Sequence, residues 1–282
     1  MDERVLAMKY NIVTSCTPQY LPGLIALRNS IDINFPQAEL TCFWYSQGQD
    51  IELPEGIKYI KEVPMKGHVT DNGKEWRHGL KLGPDMYVRL HIAEYFKGRA
   101  FYVDVDCIVL KDISKAWHMD MKEYITACVY RSDIGWVAGN RYDDMASGIF
   151  MADCDKWNKI NMLDRLYDIM KNERNGALAK FGCNVESVMS YAHNGEFLHL
   201  PAEYQNLTYY GALCQQDKIA HFAGGKPWHI QAHKLNTNAV PHKDLWQAYY
   251  DNDLQLIKQI TERLPEQRKP DAWPSEPHLL RR

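Results

Sequence analysis

The sequence predicts an α/β fold in which helices flank a mixed, mainly parallel sheet. Apolar runs of strand length at residues 10–15, 40–45 and 57–63 alternate with an amphipathic stretch of helical length at residues 21–33. Strand–helix–strand spacing of this kind favours parallel pairing, with helices on the faces of the sheet. Because open sheets bind ligands beyond the carboxyl ends of their strands, we expect the functional site at that edge.

The same patterns predict the remaining elements. The predicted strands are residues 101–110, 125–130, 147–152 and 196–200. The predicted helices are residues 86–96, 155–172, 185–192, 244–250 and 253–264. The apolar face of the last two helices is predicted to consist of Trp246, Tyr249, Leu256, Ile260 and Leu264. Residues 66–83 are polar and glycine-rich and are predicted to form a mobile loop.

Composition excludes several classes of protein. A net charge of −3 gives no sign of a nucleic-acid partner. Seven cysteines, an odd number without a CxxC pair, argue against a disulfide framework and a structural zinc site. The sequence contains neither a signal peptide nor an apolar run of transmembrane length, so we expect a soluble cytoplasmic protein.

The main candidate site is a pair of carboxylates within the apolar run 101–110. Asp104 and Asp106 are two residues apart, so on a strand both side chains point to one face. Two neighbouring buried carboxylates repel each other unless a proton or a cation intervenes. A hard divalent cation, Mn²⁺ or Mg²⁺, accepts such oxygens. The alternative is a strand end at which both side chains face water.

Residues 221–229 are glycine-rich and contribute two further candidates. His221 is the best third ligand for the cation, because Mn²⁺ accepts mixed nitrogen and oxygen ligands; the alternative is an ordinary loop histidine. Lys226 is placed to meet a phosphate as a point charge.

Three residues outside these segments have a structural interpretation beside a functional one. Arg89 either anchors a carboxylate or a sugar hydroxyl, or is a solvated helix charge. Asn184 and Glu186 lie at a predicted helix start, where they either cap the helix or face a sugar.

Several motifs in a fixed order resemble a known family. They are the Y-x-R-L helix at 87–90, the Y-x-D-x-D strand at 102–106, an S-G strand at 146–150 and an H-x-x-G…K-P-W segment at 221–228. In these motifs the chain resembles glycosyltransferase family 8, the retaining, metal-dependent enzymes that include bacterial lipopolysaccharide galactosyltransferases and glycogenin. The resemblance covers residues 11–228, and the order and spacing of the motifs together make it specific.

The resemblance implies a GT-A fold with a catalytic domain at 1–230 and a helical C-terminal extension with a tail at 231–282. It implies transfer of a hexose from a nucleotide-diphosphate sugar, UDP-linked, to a hydroxyl acceptor with retention, the acceptor being a glycan, a lipid-linked glycan or a protein. The loop 66–83 would close over the donor. The implied metal ligands for Mn²⁺ (or Mg²⁺) are Asp104, Asp106 and His221. The implied donor-binding residues are Ser15, Thr17, Tyr20, Asp104, Val105, Gly224 and Lys226. The implied catalytic residues are Glu186, Asn184 and Arg89.

Departures from the family pattern leave other functions open. Threonine at 17 replaces an acid that reads the uracil edge, alanine at 146 replaces an asparagine, and valine at 185 replaces a glutamine beside the donor sugar. One alternative is a haloacid-dehalogenase-like phosphatase, in which Asp104 would be a nucleophile beside Mg²⁺. The other is a protein that binds a nucleotide sugar without turning it over.

Overall fold

The computed structural model describes residues 9–65, 84–134, 145–172, 185–208, 213–228 and 240–267. The strands are β1 (Tyr10–Cys16), β2 (Ala38–Trp44), β3 (Lys58–Lys61), β4 (Arg99–Val103), β5 (Cys107–Val109), β6 (Thr126–Tyr130), β7 (Met145–Asp153), β8 (Leu198–His199), β9 (Asn206–Leu207) and β10 (Ile219–His221). The α-helices are α1 (Leu21–Asn34), α2 (Pro84–Tyr87), α3 (Ile92–Tyr95), α4 (Cys154–Lys159), α5 (Met162–Asn172), α6 (Val185–His193), α7 (Lys243–Tyr250) and α8 (Leu254–Glu262). Among the helices of these ranges, none is long and apolar enough to cross a membrane.

The main sheet has seven strands in the order β3-β2-β1-β4-β7-β6-β8. β1 pairs in parallel with β2 and β4, β2 with β3, and β6 with β8. β7 is antiparallel to both of its neighbours, β4 and β6. Buried residues on the two faces of this sheet form two apolar clusters against the flanking helices. The predicted α/β fold with a mixed, mainly parallel sheet is therefore confirmed.

The predicted strand at 101–110 is wrong as a single element. β4 ends at Val103 in the main sheet, and β5 begins at Cys107 in a second sheet with the order β5-β10-β9. Between them the chain turns, and the Cys107 amide donates to the Asp104 carbonyl at 3.1 Å. Because β5 is buried as completely as β4, the apolar pattern continues on both sides of the turn. The pattern therefore did not indicate the break.

Two predicted helices are also interrupted. The helix predicted at 86–96 consists of α2, a 3-10 turn at Val88–His91, and α3. The helix predicted at 155–172 divides into α4 and α5 at Asn161, whose φ of 51° ends the α-helical backbone. The predicted loop 66–83 lies outside the described residues.

The C-terminal helices share a core with the second sheet. Trp246 and Tyr249 of α7 are buried beside Ile108 of β5 and Phe222, which follows β10. The Asn29 side chain of α1 donates to the Tyr249 carbonyl at 2.9 Å. α7 therefore supports the elements that carry the site, while the domain boundary at 230 remains a prediction.

The predicted apolar face of α8 needs one correction. Leu256 is 38% exposed, whereas its neighbour Ile257 is 6% exposed and belongs to the core. The helix begins after Asp253, which is its N-cap because the carboxylate accepts from the Leu256 amide. This start fixes the rotation of the helix and turns Ile257 inward.

Replacing Ile257 by Ala is expected to lower the free energy of unfolding by about 2–4 kcal/mol, because the lost groups leave a cavity in a packed core. Leu256→Ala is the matched control at the next position, and we expect a change of about 0.5 kcal/mol there. Urea unfolding followed by circular dichroism measures both. Equal losses in the two variants would contradict the assignment of Ile257 to the core.

Candidate active site

The two aspartates and the histidine meet at the carboxyl end of β4. Asp104 and Asp106 lie in the turn after β4, and His221 ends β10, where it pairs with Cys107 of β5. The His221 Nε2 atom is 3.2 Å from Asp106 Oδ1 and 3.8 Å from Asp104 Oδ2. Asp106 and His221 are both 6% exposed. Residues about 115 positions apart thus converge on one point at the predicted edge of the sheet.

The two carboxyl groups differ in their electrostatic surroundings. Burial raises the pKa of Asp104, and its repulsion by Asp106 adds to this, although Arg89 opposes the shift. Burial would also raise the pKa of Asp106, but attraction to Lys226 and His221 outweighs it and holds this pKa well below its usual range. Asp106 is therefore the carboxylate that stays charged most firmly.

His221 is held from behind by Gln205. The Gln205 amide nitrogen is 3.2 Å from His221 Nδ1, and among the described residues Gln205 Oε1 is buried without a hydrogen-bond partner. A half-turn of the amide would let that oxygen accept from Nδ1–H. The Nε2 lone pair would then face the two carboxylates, which is the tautomer that a metal ligand needs. No sequence pattern had singled out Gln205.

Gly148 on β7 leaves the space in which the ligands meet. A Cβ atom at this position would lie 2.7 Å from Asp104 Oδ2 and 2.7 Å from His221 Cε1. The Gly148 carbonyl also accepts from the Asp104 amide at 2.8 Å, so β7 holds the start of the turn. The glycine of the S-G motif is thus required by the close approach of these side chains.

Arg89 lies behind Asp104 and does not line the cavity. Its Nη2 is 2.7 Å from Asp104 Oδ1, Nη1 donates to the Ser147 carbonyl at 2.9 Å, and Nε donates to the Met86 carbonyl at 3.0 Å. All three nitrogens are thus engaged within the protein. In this structure Arg89 therefore supports the Asp104 carboxylate, and its role in holding the donor sugar stays a prediction.

Lys226 occupies the other side of Asp106. Its ammonium forms an ion pair with Asp106 Oδ2 and donates to the Phe222 carbonyl at 3.2 Å. The following Trp228 donates from its indole to the Gln19 carbonyl at 3.1 Å and meets the Tyr20 ring edge-on at 6.0 Å. The segment 221–228 is therefore fixed against Gln19 and Tyr20, and Tyr20 is one of the predicted donor-binding residues.

The predicted donor-binding residues Ser15, Thr17 and Val105 occupy different environments. Ser15 is buried, and its hydroxyl hydrogen-bonds the Tyr102 hydroxyl at 2.8 Å, which in turn donates to Asp104 Oδ1 at 3.1 Å. The Thr17 hydroxyl is buried, and within the described ranges it has no hydrogen-bond partner. The Val105 side chain packs into the apolar core. Thr17 thus retains an unused polar group, whereas Ser15 supports the aspartate.

A cavity of about 200 Å³ opens at this point. Its charged lining consists of Asp104, Asp106, Glu186, Arg131 and Lys226, with His221 and Gly224 beside them. Glu186 begins α6, and its carboxylate is 3.6 Å from the Arg131 guanidinium. Arg131 was not among the predicted site residues, and Asn184 lies outside the part of the chain that is described.

Solved structures share this fold. The galactosyltransferase LgtC, determined with donor and acceptor sugar analogues, superposes with a TM-score of 0.63 at 13% identity, covering 86% of this chain and 95% of that one. The apo-form glycosyltransferase GlyE of Streptococcus pneumoniae TIGR4 gives a TM-score of 0.62 at 17% identity, covering 86% of this chain and 60% of GlyE. This likeness establishes the GT-A fold.

Sequence comparison identifies the family. General stress protein A of Bacillus subtilis (strain 168) is 26% identical over 211 residues, which cover 62% of this chain and 72% of that protein. The model of glycosyl transferase family 8 matches residues 11–232, which include the aspartate turn, Gly148 and the segment 221–228. Membership supports glycosyl transfer as the activity and confirms the resemblance drawn from the motifs. The chain belongs to glycosyl transferase family 8.

Proposed function

We propose that this protein is a metal-dependent glycosyltransferase that moves a hexose from a nucleotide-diphosphate sugar to a hydroxyl acceptor. The observation that carries the proposal is the convergence of Asp104, Asp106 and His221 on a cavity that Lys226 also lines. Carboxylates, an imidazole and an ammonium group at the carboxyl ends of the strands suit a diphosphate bound through a cation. UDP is the proposed nucleotide.

Asp106 and His221 fit a divalent cation, with Asp104 beside them. The ligand atoms of Asp106 and His221 are 3.2 Å apart, a separation that two ligands about 2.0–2.2 Å from one ion can span. The Gln205 oxygen, which has no hydrogen-bond partner among the described residues, can fix the imidazole tautomer that a metal ligand needs, and Gly148 leaves the space in which the ligand atoms meet. Asp104, Asp106 and His221 would hold Mn²⁺ or Mg²⁺. Bound there, the ion would supply Lewis-acid neutralisation of the departing nucleoside diphosphate.

The other side chains of the site have separate proposed roles. Arg89 and the Tyr102 hydroxyl hold Asp104 in place. Lys226 moves its charge from Asp106 to the diphosphate when a donor binds. Glu186 offers a carboxylate to the positive charge that develops on the sugar ring as the glycosidic bond breaks. Retention of the anomeric configuration is part of the proposal, with Glu186 on the opposite face of the sugar.

A screen of nucleotide sugars tests the proposal as a whole. Thermal unfolding is followed with UDP-, GDP- and dTDP-sugars, each with and without Mn²⁺. We expect stabilisation that needs both components, together with slow donor hydrolysis. Donor binding without hydrolysis or transfer would indicate a binding protein, and Mg²⁺-dependent hydrolysis of an aryl phosphate, lost in Asp104→Asn, would indicate a phosphatase. Either result overturns the transferase.

Asp106→Asn is expected to abolish Mn²⁺-dependent donor binding. Removal of a group that merely orients a ligand already costs about 10–100-fold in metal affinity, so the loss of a charged ligand costs at least that much. Electron paramagnetic resonance of free Mn²⁺ measures the affinity. Asp168→Asn, an exposed change on α5, is the control. Unchanged Mn²⁺ affinity in a folded Asp106→Asn protein would refute the metal assignment.

Lys226→Met is expected to affect the ion and the nucleotide in opposite directions. Without its ammonium, Asp106 is released from its ion pair, so Mn²⁺ alone binds about tenfold tighter, or ~1.4 kcal/mol. UDP in the presence of Mn²⁺ binds at least about tenfold more weakly, because a phosphate partner is lost. Calorimetry measures both affinities. Lys97→Met, at an exposed site, is the control; weaker binding of Mn²⁺ alone would contradict the prediction.

Gly148→Ala is expected to weaken Mn²⁺ binding by about tenfold or more, because Asp104 and His221 must move apart to admit the methyl group. Gly225→Ala is the matched control, since the nearest contact of its added Cβ would be an ordinary 3.7 Å to Val240. The two variants are titrated with Mn²⁺ after their folding is checked by circular dichroism. An equal effect in both would show that space at Gly148 does not limit the site.

A further inference from the structure

A second polar pair lines the cavity beside the metal ligands. Arg131 follows β6 directly, and it is 4% exposed although its guanidinium lines the cavity. Glu186 lies in the first turn of α6, where a negative charge complements the helix dipole. Arg131 Nη1 is 3.6 Å from Glu186 Oε2. Two different elements thus bring a donor fork and an acceptor to the same wall of the cavity.

The distance between Arg131 and Glu186 suits a hydroxyl group, which can both donate and accept a hydrogen bond. At 3.6 Å the contact is longer than a hydrogen bond, which for N–H···O is about 2.7–3.2 Å. A hydroxyl group that bridges the two side chains from the cavity side can accept from the guanidinium and donate to the carboxylate at the same time. A carboxylate or phosphate oxygen can accept only, so Glu186 would repel it.

Space in this part of the cavity is limited to a small group. Ala146 on β7 presents only a methyl group to the cavity, next to Met145, which pairs with Tyr130 of β6. The cavity of about 200 Å³ is smaller than ordinary ligand pockets, which measure on the order of 300–1,000 Å³. One sugar ring is therefore a better occupant than an oligosaccharide.

The charge of the lining also favours a neutral sugar. Asp104, Asp106 and Glu186 contribute three carboxylates, against the two cationic side chains of Arg131 and Lys226. The charge of a divalent cation would be matched by the diphosphate of the donor. Arg89, behind the lining, pairs with Asp104, so each of the three carboxylates already faces a cation. An additional carboxylate on the sugar would therefore compete with Glu186 for Arg131.

We propose that Arg131 and Glu186 together bind hydroxyl groups of the transferred sugar and select a neutral hexose over a hexuronic acid. This inference rests on the proposed function. It adds Arg131 as a specificity-determining residue, and it assigns the sugar class. The structural alternative is an ion pair that only ties β6 to α6.

Calorimetry with three kinds of ligand separates these roles, with Mn²⁺ present throughout. The probes are UDP alone, UDP-glucose with UDP-galactose, and the corresponding UDP-hexuronates. In Arg131→Met we expect UDP affinity to change less than twofold and UDP-hexose affinity to fall at least tenfold, with partial recovery in Arg131→Lys. In Glu186→Gln we expect the preference for hexose over hexuronate to fall at least tenfold. Arg165→Met, exposed on α5, is the control.

The possible outcomes are distinct. If UDP and UDP-hexose lose affinity equally in Arg131→Met and the melting temperature falls, the pair is structural. If UDP-hexose affinity is unchanged, or the wild-type protein prefers a hexuronate, the specificity assignment is overturned while the transferase proposal stands. If the wild-type protein binds neither UDP nor any UDP-sugar with Mn²⁺, the proposed function itself fails, and this inference fails with it.

Discussion

The site depends on the compensation of two carboxylates, one buried and one half-buried, that lie two residues apart. Asp104 and Asp106 repel each other, and burial penalises the charged form of both. Arg89 forms an ion pair with Asp104 and Lys226 forms one with Asp106, while His221 lies between the two carboxylates. The compensating residues come from two distant parts of the chain, Arg89 before β4 and His221 with Lys226 in the segment 221–228, so the fold must hold these parts together before the site exists.

The break between β4 and β5 brings these parts of the chain together. A continuous strand would have kept both aspartates within the main sheet. The turn instead releases them at its edge and sends β5 into a second sheet, where antiparallel pairing with β10 delivers His221. Gly148 on β7 leaves space for His221 beside the aspartates. The packing of α7 against α1 and the second sheet supports the site from outside. The second sheet is therefore part of the architecture of the candidate site.

Some residues of the site belong to motifs that can be recognised in the sequence, and others do not. Asp104, Asp106, His221 and Lys226 belong to recognisable motifs, and the structure gathers them around one cavity. Gln205 and Arg131 belong to no motif, yet one backs the imidazole and the other faces Glu186. The support that Arg89 gives to Asp104 could not be read from its motif either, because it depends on which carbonyls surround the guanidinium.

The sequence alone determined the fold class, the order of most elements and the family, because apolar periodicity and motif order are local properties of the chain. It did not reveal that an unbroken apolar run divides between two sheets, since both halves are equally buried. Nor could it show that Ile257 rather than Leu256 faces the core, which depends on the rotation of α8 after its cap at Asp253. Only the tertiary structure decided the partners of the charged groups, because contacts such as Gln205 with His221 arise from distances in space that no spacing along the chain encodes.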